Sequence, residues 1–354
     1  MAAKPFPRTS APPKKVNLAL QGGGAHGAFA WGILDRFMET RLIEIEGISG
    51  TSAGSMNAVV YAWGVFNGGP EGAREALHRY WSAISRISNG GVTQFWESFF
   101  FGGKGPTLSP AAHGPALEAI RMIGNTLSPY QTNPFNYHPL RGVLNDLVDF
   151  DSLRTCQSTK LYLSATNVKT GKVRVFDTAE VSVDVVLASA CLPEIFQAVE
   201  INGEHYWDGG YMGNPVLFPL FYETKSRDVI ILHINPITRD EVPVLANEIS
   251  DRVNEITFNA SLLKELRAVA FVQKLLADGM IKDKFRDQFK DVLIHSVRAD
   301  KALKNMSVAT KFCLDWGFLT ELRDRGRAAA DEWLAANYAN LGVRSSVDVR
   351  AEYL

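Results

Sequence analysis

Two patterns of hydrophobic and polar positions alternate over the first seventy residues. Residues 16–20 form a short apolar run that stops at Gln21 and three glycines, and residues 25–39 then place Phe29, Gly32, Ile33 and Phe37 on one helical face. The pattern predicts strand, glycine loop, helix. Residues 43–49 repeat the apolar run and pass through a second glycine-bearing turn, 50–54, into an apolar helix that ends near Phe66. Two such βα units predict a parallel sheet with right-handed crossovers.

Further along, residues 71–85 predict a third helix with Leu77, Tyr80, Trp81 and Ile84 on its buried side. Residues 161–168 and 173–176 predict a hairpin around Thr170-Gly171. Residues 183–190 predict a helix that ends before Pro193, and residues 229–234, almost wholly apolar, predict a strand covered on both faces. Beyond Pro243 the spacing is helical, with one stripe at Leu262, Leu266, Val269 and Leu276 and another at Leu319, Leu322, Ala329 and Trp333.

Between residues 89 and 139 the texture changes. Gly, Pro, Asn and Ser become frequent, and Phe95, Trp96, Phe99, Phe100 and Phe101 are interrupted only by Glu97 and Ser98. The expected organisation is a flexible tail at 1–15, an α/β domain at 16–240 carrying a cap or insertion at about 89–140, and a helical C-terminal extension at 241–354. The aromatic run precedes Gly102-Gly103-Lys104-Gly105-Pro106. Exposed rings beside such a loop would suit the acyl boundary of a membrane, which makes Trp96 and Phe100 candidates for lipid contact.

Composition narrows the function. With 46% hydrophobic and 21% charged residues the chain has the makeup of a soluble protein with a substantial core. Thirty-seven basic residues stand against 38 acidic ones, for a formal net charge of -1. No overall field draws such a chain to nucleic acid or to an anionic membrane. Nucleic acid is therefore not an expected partner, and contact with a membrane or a lipid granule has to come from a local surface. Cys156, Cys191 and Cys313 are far apart, odd in number and in no metal-ligand spacing. They fit a reducing compartment, and no metal or cofactor is expected. Residues 1–15 are rich in Pro, Ala and Lys without an apolar h-region, and nowhere do 18 apolar residues run together. A cytoplasmic protein, at most peripheral to a membrane, is expected. No feature of the sequence bears on oligomeric state.

Three short motifs carry chemistry. Gly22-Gly23-Gly24-Ala25-His26-Gly27 lies between a strand and a helix, where successive backbone N–H groups and the helix start converge on an anion. Alone it also satisfies the dinucleotide fingerprint, with Glu46 about twenty residues on. Gly50-Thr51-Ser52-Ala53-Gly54 is a G-x-S-x-G elbow, again between strand and helix. A nucleophilic serine has to project from a tight, strained turn, and Gly50 and Gly54 leave room for it. The third motif, Asp208-Gly209-Gly210, follows Tyr206-Trp207. An activated serine needs a base within reach, and desolvation beside aromatic rings would raise the pKa of Asp208 and make it a better one.

In their order and on these elements, the three motifs resemble the patatin-like phospholipase family over roughly residues 16–234. The segment Ala188-Ser189-Ala190-Cys191-Leu192-Pro193 resembles the family's stretch before its Asp motif. The resemblance implies a three-layer α/β/α fold with a mostly parallel central sheet and a Ser–Asp dyad without histidine. Carried onto this chain, Ser52 is the nucleophile and Asp208 the base. The N–H groups of Gly22, Gly23 and Gly24 form the oxyanion hole, with Gly27, Gly50, Gly54, Gly209 and Gly210 as motif support and a lipid ester as substrate. The chain departs from the pattern at His26, where many members carry Arg or Lys.

Two histidines compete with Asp208. His26 sits in the glycine loop, and His233 follows Asp208 in the Ser–Asp–His order of an α/β-hydrolase triad, although it lies inside the apolar run 229–234. His205 reads as a surface turn. Two other readings leave the dyad aside. One is a nucleotide-binding oxidoreductase built on the glycine loop, and the other is a catalytically silent, lipid-associated scaffold.

Overall fold

The computed structural model describes residues 12–89, 127–286, 289–304 and 306–354. The aromatic run at 95–101 and most of the expected cap lie outside the described residues, as does most of the N-terminal tail.

The first two βα units form where the hydrophobic pattern places them. Strand β1 (Lys14–Leu20) leads through the glycine loop into helix α1 (Gly27–Thr40), and β2 (Ile43–Gly50) leads into α2 (Ala53–Asn89). Helix α2 is interrupted at Gly68 and Gly69, ahead of Pro70, so it corresponds to the two separate helices expected from the pattern. Helix α3 (Pro139–Leu147) precedes β3 (Lys160–Asn167) and β4 (Val173–Asp177), which pair antiparallel. Helix α4 (Val183–Ser189) is capped by the Ser182 hydroxyl.

A second hairpin, β5 (Val199–Ile201) and β6 (Glu204–Asp208), turns at Asn202 and Gly203, both with positive φ. Helix α5 (Phe218–Tyr222) and strand β7 (Asp228–His233) follow. The C-terminal third holds α6 (Ala246–Ala277), β8 (Leu293–Arg298), α7 (Trp316–Asn337) and α8 (Val349–Tyr353).

All eight strands make one sheet, ordered β5-β6-β3-β2-β1-β7-β8, with β4 also on β3. The run β3-β2-β1-β7-β8 is parallel, and the antiparallel strands gather at the other edge. Alternating side chains of β1 and β7 face opposite layers. Leu18, Leu20, Ile230 and Leu232 pack with α1, α2 and α7, while Ala19, Val229 and Ile231 pack with α5, α6 and α8. This is the expected three-layer α/β/α architecture with a mostly parallel sheet and helices at its C-terminal end.

Residues 241–354 supply those helices and also β8, a strand the hydrophobic pattern does not announce. Helix α7 crosses α1 at very close range. A Cβ on Gly326 would lie 2.0 Å from the Phe29 carbonyl oxygen, and one on Gly32 would lie 1.9 Å from that of Arg323. Asp35 of α1 meets Arg74 of α2 at 2.9 Å and also pairs with Arg327 of α7. The C-terminal segment is thereby fixed onto the helix that leaves the glycine loop. Among the described residues, no helix is long and apolar enough to cross a membrane.

Candidate active site

The site lies at the carboxyl ends of β1, β2 and β7, where strand order turns back on either side of β1. Ser52 stands between β2 and α2 with φ of +53°, the left-handed region that a non-glycine residue occupies only at a cost. The turn leaves no room for side chains around it. A Cβ on Gly50 would meet the Gly54 carbonyl oxygen at 2.7 Å, and one on Gly54 would meet that of Leu20 at 2.3 Å. Buried Thr51 ties the turn down, contacting Ser164 Oγ and donating to the Gly213 carbonyl, each at 2.7 Å. The backbone N–H of Ser52 donates to Ser189 Oγ at 2.9 Å. The side chain of Ser52 is partly exposed while everything beneath it is buried.

Asp208 ends β6 beside β3, opposite Ala165, and is fully buried. Its N–H donates to the Cys191 carbonyl at 2.8 Å, so the end of α4 and the turn after it hold both residues, Ser52 through Ser189 and Asp208 through Cys191. Asp208 Oδ1 accepts from the Gly210 N–H at 2.7 Å, and Oδ2 has no hydrogen-bond partner among the described residues. Burial raises the carboxyl pKa to about 7, opposed by the Gly210 N–H and by the neighbouring Ser52 hydroxyl, with Glu194 adding to the rise. Ser52 is thus close enough to act on the carboxyl, although no hydrogen bond within 3.5 Å is closed between them. Apposed catalytic pairs commonly close only when substrate binds. Gly209 and Gly210 let the chain pass closely: a Cβ on Gly210 would meet the Phe258 ring at 2.3 Å.

The glycine loop requires one correction. The Gly22 N–H, expected to face an oxyanion, donates to Asn214 Oδ1 at 2.7 Å and is spent there. The N–H groups of Gly23, Gly24 and Ala53 make no hydrogen bond to other described residues. The loop is held by a cluster of buried side-chain amides, adjacent Gln21 with Asn214, Asn235 and Asn259 from distant segments. Sequence reasoning missed the three asparagines, because separations of roughly 190 to 240 residues leave no local signal. Gly27 packs against Ala53, where its Cβ would lie 2.9 Å from that of the alanine.

The competing groups are engaged with other partners. His26 is buried, its Nε2 is 2.7 Å from Thr310 Oγ1, and burial followed by the charge of Lys311 pushes its pKa down to about 3. His233 contacts the Tyr353 hydroxyl at 3.2 Å and stacks on that ring, with its pKa likewise pushed down to about 3 by burial. His205 lies 3.9 Å from Glu200 on the outer hairpin. Glu46 accepts from the N–H groups of Lys225 and Ser226, both at 2.8 Å, so the dinucleotide reading loses its ribose-binding carboxylate. A cavity of about 630 Å³ between α5 and α6, lined by Phe218, Tyr222, Glu265 and Val269 among others, includes neither Ser52 nor Asp208.

A family model described as patatin-like phospholipase matches residues 18–221, more than half of the chain. No curated protein matches. Among solved structures, VipD from Legionella pneumophila is 14% identical with a TM-score of 0.35, over 88% of this chain and 67% of that one. A chain of the complex between full-length SpcU and full-length ExoU, from the type III secretion system of Pseudomonas aeruginosa, is 14% identical with a TM-score of 0.29. That match covers 90% of this chain and 53% of the other, so the chain spans only about half of its length.

Proposed function

The chain belongs to the patatin-like phospholipase family, and from that premise we propose that it is a lipid acyl hydrolase acting through a Ser52–Asp208 dyad. The observation that carries this reading is the strained φ of +53° at Ser52, set beside a buried carboxyl whose pKa is raised to about 7. Such strain carries a cost wherever it occurs, and it is kept at functional sites where a side chain has to project. A carboxyl near neutrality can both take and return a proton.

In the proposed reaction, Ser52 Oγ attacks the ester carbonyl as Asp208 Oδ2 takes the hydroxyl proton. The unpaired N–H groups of Gly23, Gly24 and Ala53 receive the developing oxyanion. Asp208 returns the proton to the leaving alkoxide, and an acyl group remains on Ser52. Water, deprotonated by the same carboxylate, then attacks the acyl carbon; the bond to Ser52 Oγ breaks, the acid leaves and Asp208 returns the proton to Ser52 Oγ. No histidine takes part, in keeping with the separate partners of His26 and His233.

The substrate is taken as a lipid ester met at a surface. The protein should be tested, wild type beside Ser52→Ala, on phospholipid, lysophospholipid, neutral glyceride and polyhydroxyalkanoate esters. Turnover of at least one class by the wild type, lost by several orders of magnitude in Ser52→Ala, supports the reading. Equal turnover by both proteins overturns it.

A further inference from the structure

Three glycines in a row give the loop at Gly22 to Gly24 almost no intrinsic preference, yet an oxyanion site works only if its donors are already aimed. Gly22 is clamped through both of its backbone polar groups. Its N–H donates to Asn214 Oδ1 at 2.7 Å and its carbonyl accepts from Asn235 Nδ2 at 2.9 Å.

The Asn235 clamp works in one orientation of the amide only. A side-chain amide has an oxygen that accepts and a nitrogen that donates. Here Nδ2 faces two acceptors, the Gly22 carbonyl and Gln21 Oε1, while Oδ1 accepts from Lys311 Nζ at 2.8 Å. Turning the amide over would set its NH2 against an ammonium and its oxygen against two oxygens. Lys311 is an unusual group to find there. Its other partners are Asn254 Oδ1 at 3.2 Å and the Phe258 ring, whose centroid is 5.7 Å from the ammonium, and the charges of Glu255, Asp251 and Asp208 act on it. The backbone around it packs on the loop as well. A Cβ on Gly24 would lie 2.4 Å from the Lys311 carbonyl oxygen, and neighbouring Thr310 meets His26.

We propose that Lys311 is a positioning residue for the oxyanion side of the site: its ammonium fixes the amide of Asn235, which holds the Gly22 carbonyl and thereby aims the N–H groups of Gly23 and Gly24. The proposal rests on the hydrolase reading above. It gives the segment 308–312, beyond the family match, a part in the reaction without contact to the reacting atoms.

The test uses the whole protein with a short soluble p-nitrophenyl ester, comparing wild type, Lys311→Met and Lys311→Arg. Lys311→Met is expected to lower kcat by about 10²-fold, the scale of a misplaced group, with KM within about threefold. Lys311→Arg, which keeps a donor, is expected to recover most of that loss. The melting temperature of Lys311→Met should fall, because the buried Asn235 Oδ1 loses its donor, so kcat is taken per folded molecule. A merely structural lysine predicts the same lowered melting temperature, but with kcat preserved in the fraction that stays folded. If Lys311→Met does not fold, Asn235→Asp serves in its place, since it keeps an acceptor for Lys311 but loses the donor to Gly22, and the same loss of kcat is expected. A kcat within twofold of wild type in the folded variant overturns the proposal and leaves the hydrolase reading standing. Absence of turnover and of serine labelling in the wild type overturns both.

Discussion

A Cβ placed on Gly22 would sit 2.7 Å from the Cβ of Ser52. The first glycine of the loop therefore makes room for Ser52, and with its N–H spent on Asn214 it is a spacer more than a donor to a ligand. Gly22→Ala should push Ser52 off its line of attack and lower kcat by about 10²-fold while the far-ultraviolet circular dichroism is unchanged. Activity within a few-fold of wild type would show that the turn tolerates the displacement.

Asp208 sets the pH dependence. Its carboxyl must be ionised to act as base, and burial raises its pKa to about 7, so kcat/KM should rise with pH along an acidic limb centred near 7. The effect on stability has the opposite sign. Because the folded carboxyl holds its proton more tightly than the unfolded one, its contribution is fully present below about 4 and is lost as pH rises through about 7. Asp208→Asn should remove that loss, melting higher than wild type at pH 8 while turning over at least about 10³-fold more slowly. A limb centred near 4, or a variant that melts lower at pH 8, would contradict the assignment.

His233 bears on the triad alternative. Its ring contacts the Tyr353 hydroxyl and carries no contact to Asp208. His233→Leu should retain kcat within a few-fold and lose about 1 to 3 kcal/mol of stability, from orphaning a buried hydroxyl. A folded variant without activity would restore a histidine to the mechanism.

Gly326 tests whether the C-terminal segment belongs to the core. Its Cα faces the Phe29 carbonyl across the α1–α7 crossing, where a side chain would strike backbone that cannot move aside. Gly326→Val should cost at least about 3 kcal/mol, read by chemical denaturation. A loss under about 1 kcal/mol would mean that α7 is free to slide.

The parallel core was legible because its strands are dense in apolar side chains and its loops are punctuated by glycine. Residues 16–20 and 229–234 stand out in this way, and Gly68 and Gly69 mark the break in α2. Strand β8 was not, because half of it is polar for tertiary reasons. His295 Nε2 there meets Asp228 Oδ1 at 2.9 Å, a contact across 67 residues. The β5–β6 hairpin carried an Asn202-Gly203 turn signal that could have been read. Ser52 and Asp208 could be picked out because strained turns need glycine neighbours. The groups that aim the loop could not: Asn214, Asn235, Asn259 and Lys311 matter only through partners far away in the chain, and polar residues in such segments look like solvated surface.

The most direct measurement of the dyad is to trap the acyl-enzyme. The wild type, Ser52→Ala and Asp208→Asn should each be mixed with a fluorophosphonate and with a slowly hydrolysed p-nitrophenyl ester, then acid-quenched, digested and sequenced by tandem mass spectrometry. The account predicts one adduct, on the peptide containing Ser52, with none on Ser52→Ala and labelling at least about 10³-fold slower on Asp208→Asn. Ester turnover by the wild type with no adduct at Ser52, or with an adduct on another residue, would contradict it.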